Sequence, residues 1–153
     1  MSAAERLAEL GLTLPPVVAP VAAYVPAVRT GAYVYVSGQL PVVDGTLPAT
    51  GKVGDAVSAQ DAAGLARACA LNALAAAAEA AGGLHEIRRI VKVVGFVASA
   101  PDFTGQPPVI NGASELFLEV FGEDGRHARS AIGVAALPLD APVEVELIAE
   151  VRA

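Results

Sequence analysis

The stretch Arg126-His-Ala-Arg-Ser-Ala-Ile-Gly-Val-Ala-Ala-Leu-Pro138, running on to Val143-Glu-Val-Glu-Leu-Ile-Ala-Glu-Val151, decides how the chain is read. Its pattern predicts two strands joined by a proline-flanked loop, a terminal hairpin. On the first strand Arg129, Ala131, Gly133 and Ala135 share one face, and Ser130, Ile132 and Val134 share the other. On the second, Val143, Val145, Leu147 and Ala149 alternate with Glu144, Glu146, Ile148 and Glu150. Alternating glutamates ordinarily mark a wet face. Arg129 heads an apolar strand that has no structural use for a cation. From its position alone two roles are open: an anion-binding device, or a strand end tied up in a salt bridge.

Working back, Val109 to Phe121 reads as a helix opened by Pro107-Pro108, with Leu116, Phe117, Val120 and Phe121 as its apolar face and Gly122 and Gly125 as its stop. Asn111 falls in its first turn, where an amide can cap locally or point into a cleft. Ile87 to Ala98 is a strand so apolar that both faces must be covered, one by a helix and the other by a neighbouring subunit. His85, just before it, reads as a solvated loop residue. Ser58 to Ala81 is the long helix, with Ser58 as cap, Asp61 three residues in, and Gly82-Gly83 as terminator. Its alanine run, Ala75 to Ala78, implies close approach to a sheet, and Cys69 at helical spacing from Leu65 reads as a small buried hydrophobe.

Nearer the N-terminus, Ala32 to Val36 is a strand ending in Ser37-Gly38-Gln39, a bend where backbone amides can face a ligand. Val21 to Val28 reads as an edge strand broken by Pro26, containing Tyr24, with a turn at Arg29-Thr-Gly31. Pro41 to Gly54 is a loop with a turn at Asp44-Gly45. Ser2-Ala-Ala-Glu5 is a capping box for a short helix, and Pro15, Pro16 and Pro20 force an extended arm after it. The order β-β-α-β-α-β-β, with the helices on one side of a mixed sheet, is an α+β sandwich.

Composition sets bounds. A chain of 153 residues can bury one core by itself, and a 54% apolar content with mean hydropathy of +0.54 leaves apolar surface for subunit contacts. A homo-oligomer is expected. Every apolar run is broken before it could span a bilayer. Net charge of −6 and scattered basic residues argue against nucleic acid as a partner. A single cysteine and no basic leader point to a cytoplasmic protein, and no metal-ligand spacing is present.

Five ordered features carry a family resemblance: Ser37-Gly38-Gln39 followed by Pro41, Asn111 ahead of Glu115-Leu-Phe117, Ala128-Arg129-Ser130, Leu137-Pro138, and Val143-Glu-Val-Glu146. With them the chain resembles the RidA/YjgF superfamily, small trimeric proteins of chorismate-mutase-like fold, as a divergent branch. The resemblance implies residues 1–18 as a helix and extended arm and 19–153 as the RidA/YjgF-like domain, in a chain that is a single domain overall. It implies a homotrimer with a small-molecule cleft between subunits. There Arg129 grips a substrate carboxylate, Glu144 positions or activates water, and Tyr24, Ser37, Gly38 and Asn111 line the cleft, with Ala131 where the family carries a cysteine. The implied reaction is hydrolysis of enamines and imines to a 2-keto acid and ammonia, with no cofactor or metal. A non-catalytic, chaperone-like metabolite-binding trimer using the same cleft is the alternative, favoured by Ala131 and by Gly133, which stands where a glutamate is common. An endoribonuclease, a label some members carry, fits the acidic charge poorly.

His127 replaces the family's proline. It is open to reading as a proton relay or as a solvated loop residue, with its ring expected to point away from Arg129. If Ala136 pairs with Val143 in the hairpin, Glu144 lies six residues along from Arg129, about 20 Å on a strand. The two are then expected to meet only across a subunit boundary.

Overall fold

The computed structural model describes all 153 residues. In chain order the elements are α1 (Ala3–Glu9), β1 (Ala27–Thr30), β2 (Tyr33–Gln39), α2 (Ala59–Ala81), β3 (Ile87–Ala98), α3 (Gln106–Phe121), β4 (Ala128–Val134) and β5 (Val143–Val151). The strands form one mixed sheet in the order β1-β2-β5-β3-β4. Only the β3–β4 pair is parallel.

The quoted stretch is therefore not a hairpin. β4 lies at the sheet edge, parallel to β3, whereas β5 is inserted antiparallel between β2 and β3. The reason is burial. Val143, Val145, Leu147, Ala149 and Val151 are each 3% exposed or less, a demand that only a central strand beneath a helix can meet. β4 has no residue buried to that degree, so it takes the edge, and the loop between them crosses the end of β3.

Two boundaries also move. Pro26 has no N–H to give and joins the pairing only through its carbonyl, so the edge strand begins at Ala27 and its turn falls at Gly31, whose φ is 57°. α3 starts at Gln106 rather than Val109, because a helix's first-turn N–H groups have no internal partner and the two prolines cost nothing there. β3 and α2 match their expected spans. Ser58 caps α2 by accepting from the Asp61 amide, and Gly82 ends it in the left-handed region.

α2 packs over β2 and β5, and α3 over β3 and β4, both on the same face of the sheet. The alanines of α2 are what permit this close layer: Ala62, Ala66, Ala70, Ala73 and Ala77 are fully buried. Cys69 is among them, as expected, and burial pushes its thiol pKa well up, with the Glu144 charge adding to it. α1 lays Leu7 onto α3 and has the expected capping box. Asn72 of α2 donates to the carbonyls of Leu40 and Val42, both at 3.0 Å, which pins the loop that follows β2. His85 is exposed, as expected.

The other face of the sheet has no helix over it. Val28, Tyr33, Tyr35 and Ile132 are each 43% to 53% exposed there. A groove of about 340 Å³ crosses this face, lined by Tyr35, Ser37, Lys92, Val94, Glu146 and Ile148 among others. No helix is long and apolar enough to cross a membrane.

Candidate functional site

Arg129 pairs with Val93 across the β3–β4 ladder and so projects to the helix face, under the first turns of α3. One terminal nitrogen, Nη1, donates to Asn111 Oδ1 at 2.7 Å and to Ser114 Oγ at 3.2 Å. No carboxylate reaches it: the ion pairs of the chain are Arg67–Glu119, His85–Glu86, Arg88–Glu150 and Arg126–Glu123. Within this chain Arg129 therefore forms no salt bridge. Its half-buried guanidinium is held by two neutral acceptors, an environment in which it could receive an anion.

Ser114 escapes a reading of the sequence by motif, yet it stands one helical turn after Asn111, the spacing at which two side chains share a helix face. His127 departs from its expectation. Its Nε2 lies 2.9 Å from Ser114 Oγ, and its Nδ1 lies 2.6 Å from the Gly125 carbonyl. Residues two apart on an extended chain face the same way, so His127 and Arg129 converge on one hydroxyl rather than diverge. Burial lowers the His127 pKa from its usual 6.5, the Gly125 hydrogen bond opposes this, and the Arg129 charge adds to it.

Ala131, next along β4 on the Arg129 side, is half-buried and offers only a methyl group. Two residues further, a Cβ on Gly133 would lie 2.8 Å from Gln106 Nε2 and 3.1 Å from Ser99 Oγ. The space a longer side chain would use is already taken by Gln106, which donates to Ser99 and to the Phe103 carbonyl.

Glu144 is elsewhere. It pairs with Phe96 on β3, projects to the open face, and lays its carboxylate over Gly38 of β2, where a Cβ would overlap it. Burial raises its pKa above 4.5, and the charge of Glu146 raises it further. Ser37 sits beside Gly38 and is bound to the incoming arm twice: its Oγ donates to the Val25 carbonyl and its amide to the Pro26 carbonyl, both at 2.8 Å. Tyr24 precedes these residues and is 58% exposed. Within one chain the sequence-derived residues thus fall into two groups. Arg129, Asn111 and Ala131 gather at the β4 edge on the helix face; Ser37, Gly38 and Glu144 gather around the end of β2, and Tyr24 lies in the chain next to Val25, whose carbonyl Ser37 binds. No group of three His, Cys, Asp or Glu side chains is placed to hold a metal.

A family model described as YjgF/chorismate mutase-like, putative endoribonuclease, matches residues 4–151. Protein TCP17 of Trypanosoma cruzi is 46% identical over 150 residues, covering 97% of this chain and 94% of its own. The 2-iminobutanoate/2-iminopropanoate deaminase of Salmonella typhimurium is 38% identical over 131 residues, covering 86% and 89%. The crystal structure of Atu1372, a protein of unknown function from Agrobacterium tumefaciens, matches with a TM-score of 0.90 at 50% identity, covering 98% of this chain and 92% of that one. With its mixed sheet, its helices on one face and these relatives, the chain belongs to the YjgF/RidA superfamily.

Proposed function

We propose that the protein is an imine and enamine hydrolase that works as a homotrimer, with its site in the cleft between neighbouring subunits. The observation that carries this reading is Arg129: a half-buried cation, fixed by Asn111 and Ser114, with no anionic partner of its own. A planar carboxylate is the natural occupant, since a guanidinium can engage it through two parallel hydrogen bonds. The 2-iminobutanoate/2-iminopropanoate deaminase at 38% identity supports short 2-imino acids as the substrate class.

Little catalytic power is needed. The protonated imine carbon is already electrophilic, so a bound carboxylate and a placed water account for much of the rate. Water oxygen bonds to the imine carbon while one of its protons passes to Glu144. Glu144 returns that proton to the amine, and the carbon–nitrogen bond breaks, releasing ammonia, as the remaining hydroxyl proton leaves and the oxygen becomes the carbonyl. A 2-imino acid and water give a 2-keto acid and ammonia. A carboxylate whose pKa is raised by burial is a better base for this step than an exposed one.

The placement of the two groups supports an assembly of this kind. One is at the β4 edge and the other toward the opposite side of the sheet, so a complete site needs the first group of one copy beside the second group of the next. Unlike surfaces meeting head to tail close into a ring when the rotation between copies closes. The apolar residues of the open face supply area for that contact.

Purified protein is expected to speed keto-acid release from an enzymatically generated 2-imino acid, and Arg129→Ala to abolish the acceleration. No acceleration with any of several short imino acids defeats the hydrolase reading. Ala131 and the filled space at Gly133 favour a second one, binding without turnover. It predicts that 2-keto acids titrate onto the wild type, but not onto Arg129→Ala, while imine decay is unchanged.

A further inference from the structure

We propose that Ser114 and His127 are positioning residues for Arg129, which lock one end of its guanidinium so that a carboxylate is taken side-on by the opposite edge. The proposal rests on the reading of Arg129 as a carboxylate anchor and adds to it the residues that aim the anchor and the edge it presents.

Hydrogen-bond chemistry fixes the direction of each contact. The Gly125 carbonyl can only accept, so the His127 Nδ1 that lies 2.6 Å from it carries the proton. In a neutral ring Nε2 is then bare and accepts the Ser114 hydroxyl proton across 2.9 Å. A serine has one proton to give. With it committed to His127, the lone pairs of Ser114 Oγ are left for Arg129 Nη1, which donates at 3.2 Å. Asn111 Oδ1 takes the second Nη1 hydrogen at 2.7 Å. Both hydrogens of Nη1 are therefore spent within the protein. What remains is the edge formed by Nε–H and Nη2–H, whose two parallel donors match the two oxygens of a carboxylate.

The supports of this chain of contacts are themselves held. The His127 ring and the fully buried Phe117 ring form a T-shaped pair at 90°, with centroids 5.8 Å apart, a contact that holds the imidazole plane. Burial lowers the His127 pKa from the usual 6.5, in the direction of the neutral form the chain of contacts requires. Ser114 lies on α3, whose neighbouring Ala113 is buried against the core.

The test uses the full-length protein, pyruvate as the probe, and four variants: Ser114→Ala, Ser114→Thr, His127→Ala and the double variant Ser114→Ala/His127→Ala. Affinity is read by calorimetric titration, and order in the free protein by ¹⁵N relaxation of the Arg129 Nε–H group. Ser114→Ala is expected to weaken pyruvate about tenfold, the size of one hydrogen bond to a charged group. His127→Ala should do less. The double variant should be no worse than Ser114→Ala, because His127 acts through the hydroxyl. Ser114→Thr keeps the hydroxyl and should restore both affinity and order. A merely structural role predicts no such rescue and additive losses. If Arg129→Ala abolishes binding while Ser114→Ala binds like the wild type with Arg129 still ordered, the positioning role fails and the anchor stands. If the wild type and Arg129→Ala are equally indifferent to pyruvate, the anchor reading fails and this one falls with it.

Discussion

Arg129 and Glu144 lie on opposite faces of one sheet, two strands apart. Arg129 pairs with Val93 and turns toward α3; Glu144 pairs with Phe96 and turns toward the uncovered face. Two strand spacings separate them by about 10 Å across the sheet, and the offset from Val93 to Phe96 adds roughly 10 Å along it. One chain cannot close both on a single small substrate. Mixed assembly should therefore rescue activity: inactive Arg129→Ala and inactive Glu144→Ala chains, unfolded together and refolded, should recover about one quarter of wild-type activity. In a head-to-tail ring about one interface in four joins an intact arginine to an intact glutamate. A mixture as inactive as its components would show that the pair does not act across subunits.

Gly38 is the floor on which the Glu144 carboxylate rests, and its backbone is not in the left-handed region, so alanine would be tolerated conformationally but not sterically. Gly38→Ala should push the carboxylate aside and cost about a hundredfold in kcat, the usual consequence of misplacing a reacting group by about an ångström. The melting temperature should stay within a few degrees. Pyruvate affinity, which the proposed site assigns to Arg129, should be preserved. Unchanged turnover would remove Glu144 from the reaction.

The second cause of the raised Glu144 pKa, after burial, is the charge of Glu146 on the same face of β5. A base raised in this way is lost to protonation at higher pH than an exposed glutamate. The acidic limb of kcat against pH should therefore lie above 4.5 and move to lower pH in Glu146→Gln, where burial alone remains. A limb that stays in place in Glu146→Gln would assign it to another group.

Much of this arrangement was legible in the residues. Helix α2 announced itself through Ser58, Asp61 and the Gly82-Gly83 stop, and β3 through its unbroken apolar run, because caps and hydrophobic period are local signals. The strand order was not local. Nothing between Leu137 and Pro142 reveals that β5 returns to the middle of the sheet instead of pairing with β4, though the deep burial its apolar face demands was a clue. Arg129 and Asn111 could be named from their motif, and the expectation that Arg129 and Glu144 stay apart within one chain holds for a different reason than the hairpin register supplied. Ser114 and the orientation of His127 needed the packing of α3 against the β4 edge, a tertiary relationship invisible in either segment.

His127 gives folding stability a pH dependence whose sign can be worked out. Its folded pKa is lowered from 6.5, mainly by burial, so between the two values the unfolded chain binds more protons than the folded one. The contribution is complete above about pH 6.5 and is lost as pH falls through the lower, folded value. Denaturant midpoints measured from about pH 7.5 to 5 should accordingly fall more steeply in the wild type than in His127→Gln, which cannot titrate. Parallel curves would mean that the imidazole protonates equally in both states.

Phe117 joins the core to the site, since it is fully buried on α3 and its ring forms a T-shaped pair with His127. Truncation to alanine should cost about 3–5 kcal/mol, the range for emptying a buried aromatic position, and would threaten folding. Phe117→Leu keeps most of the volume and should cost about 1–2 kcal/mol, part of it from the lost aromatic contact. The informative comparison is functional. With the ring plane no longer fixed, Phe117→Leu should loosen the hold of His127 on Ser114 and weaken pyruvate binding by a few fold. A leucine replacing a distant core residue such as Ile90 at similar stability cost should leave that affinity alone. Equal affinity losses in the two variants would attribute the effect to lowered stability, and a loss confined to Phe117→Leu would trace it through the histidine.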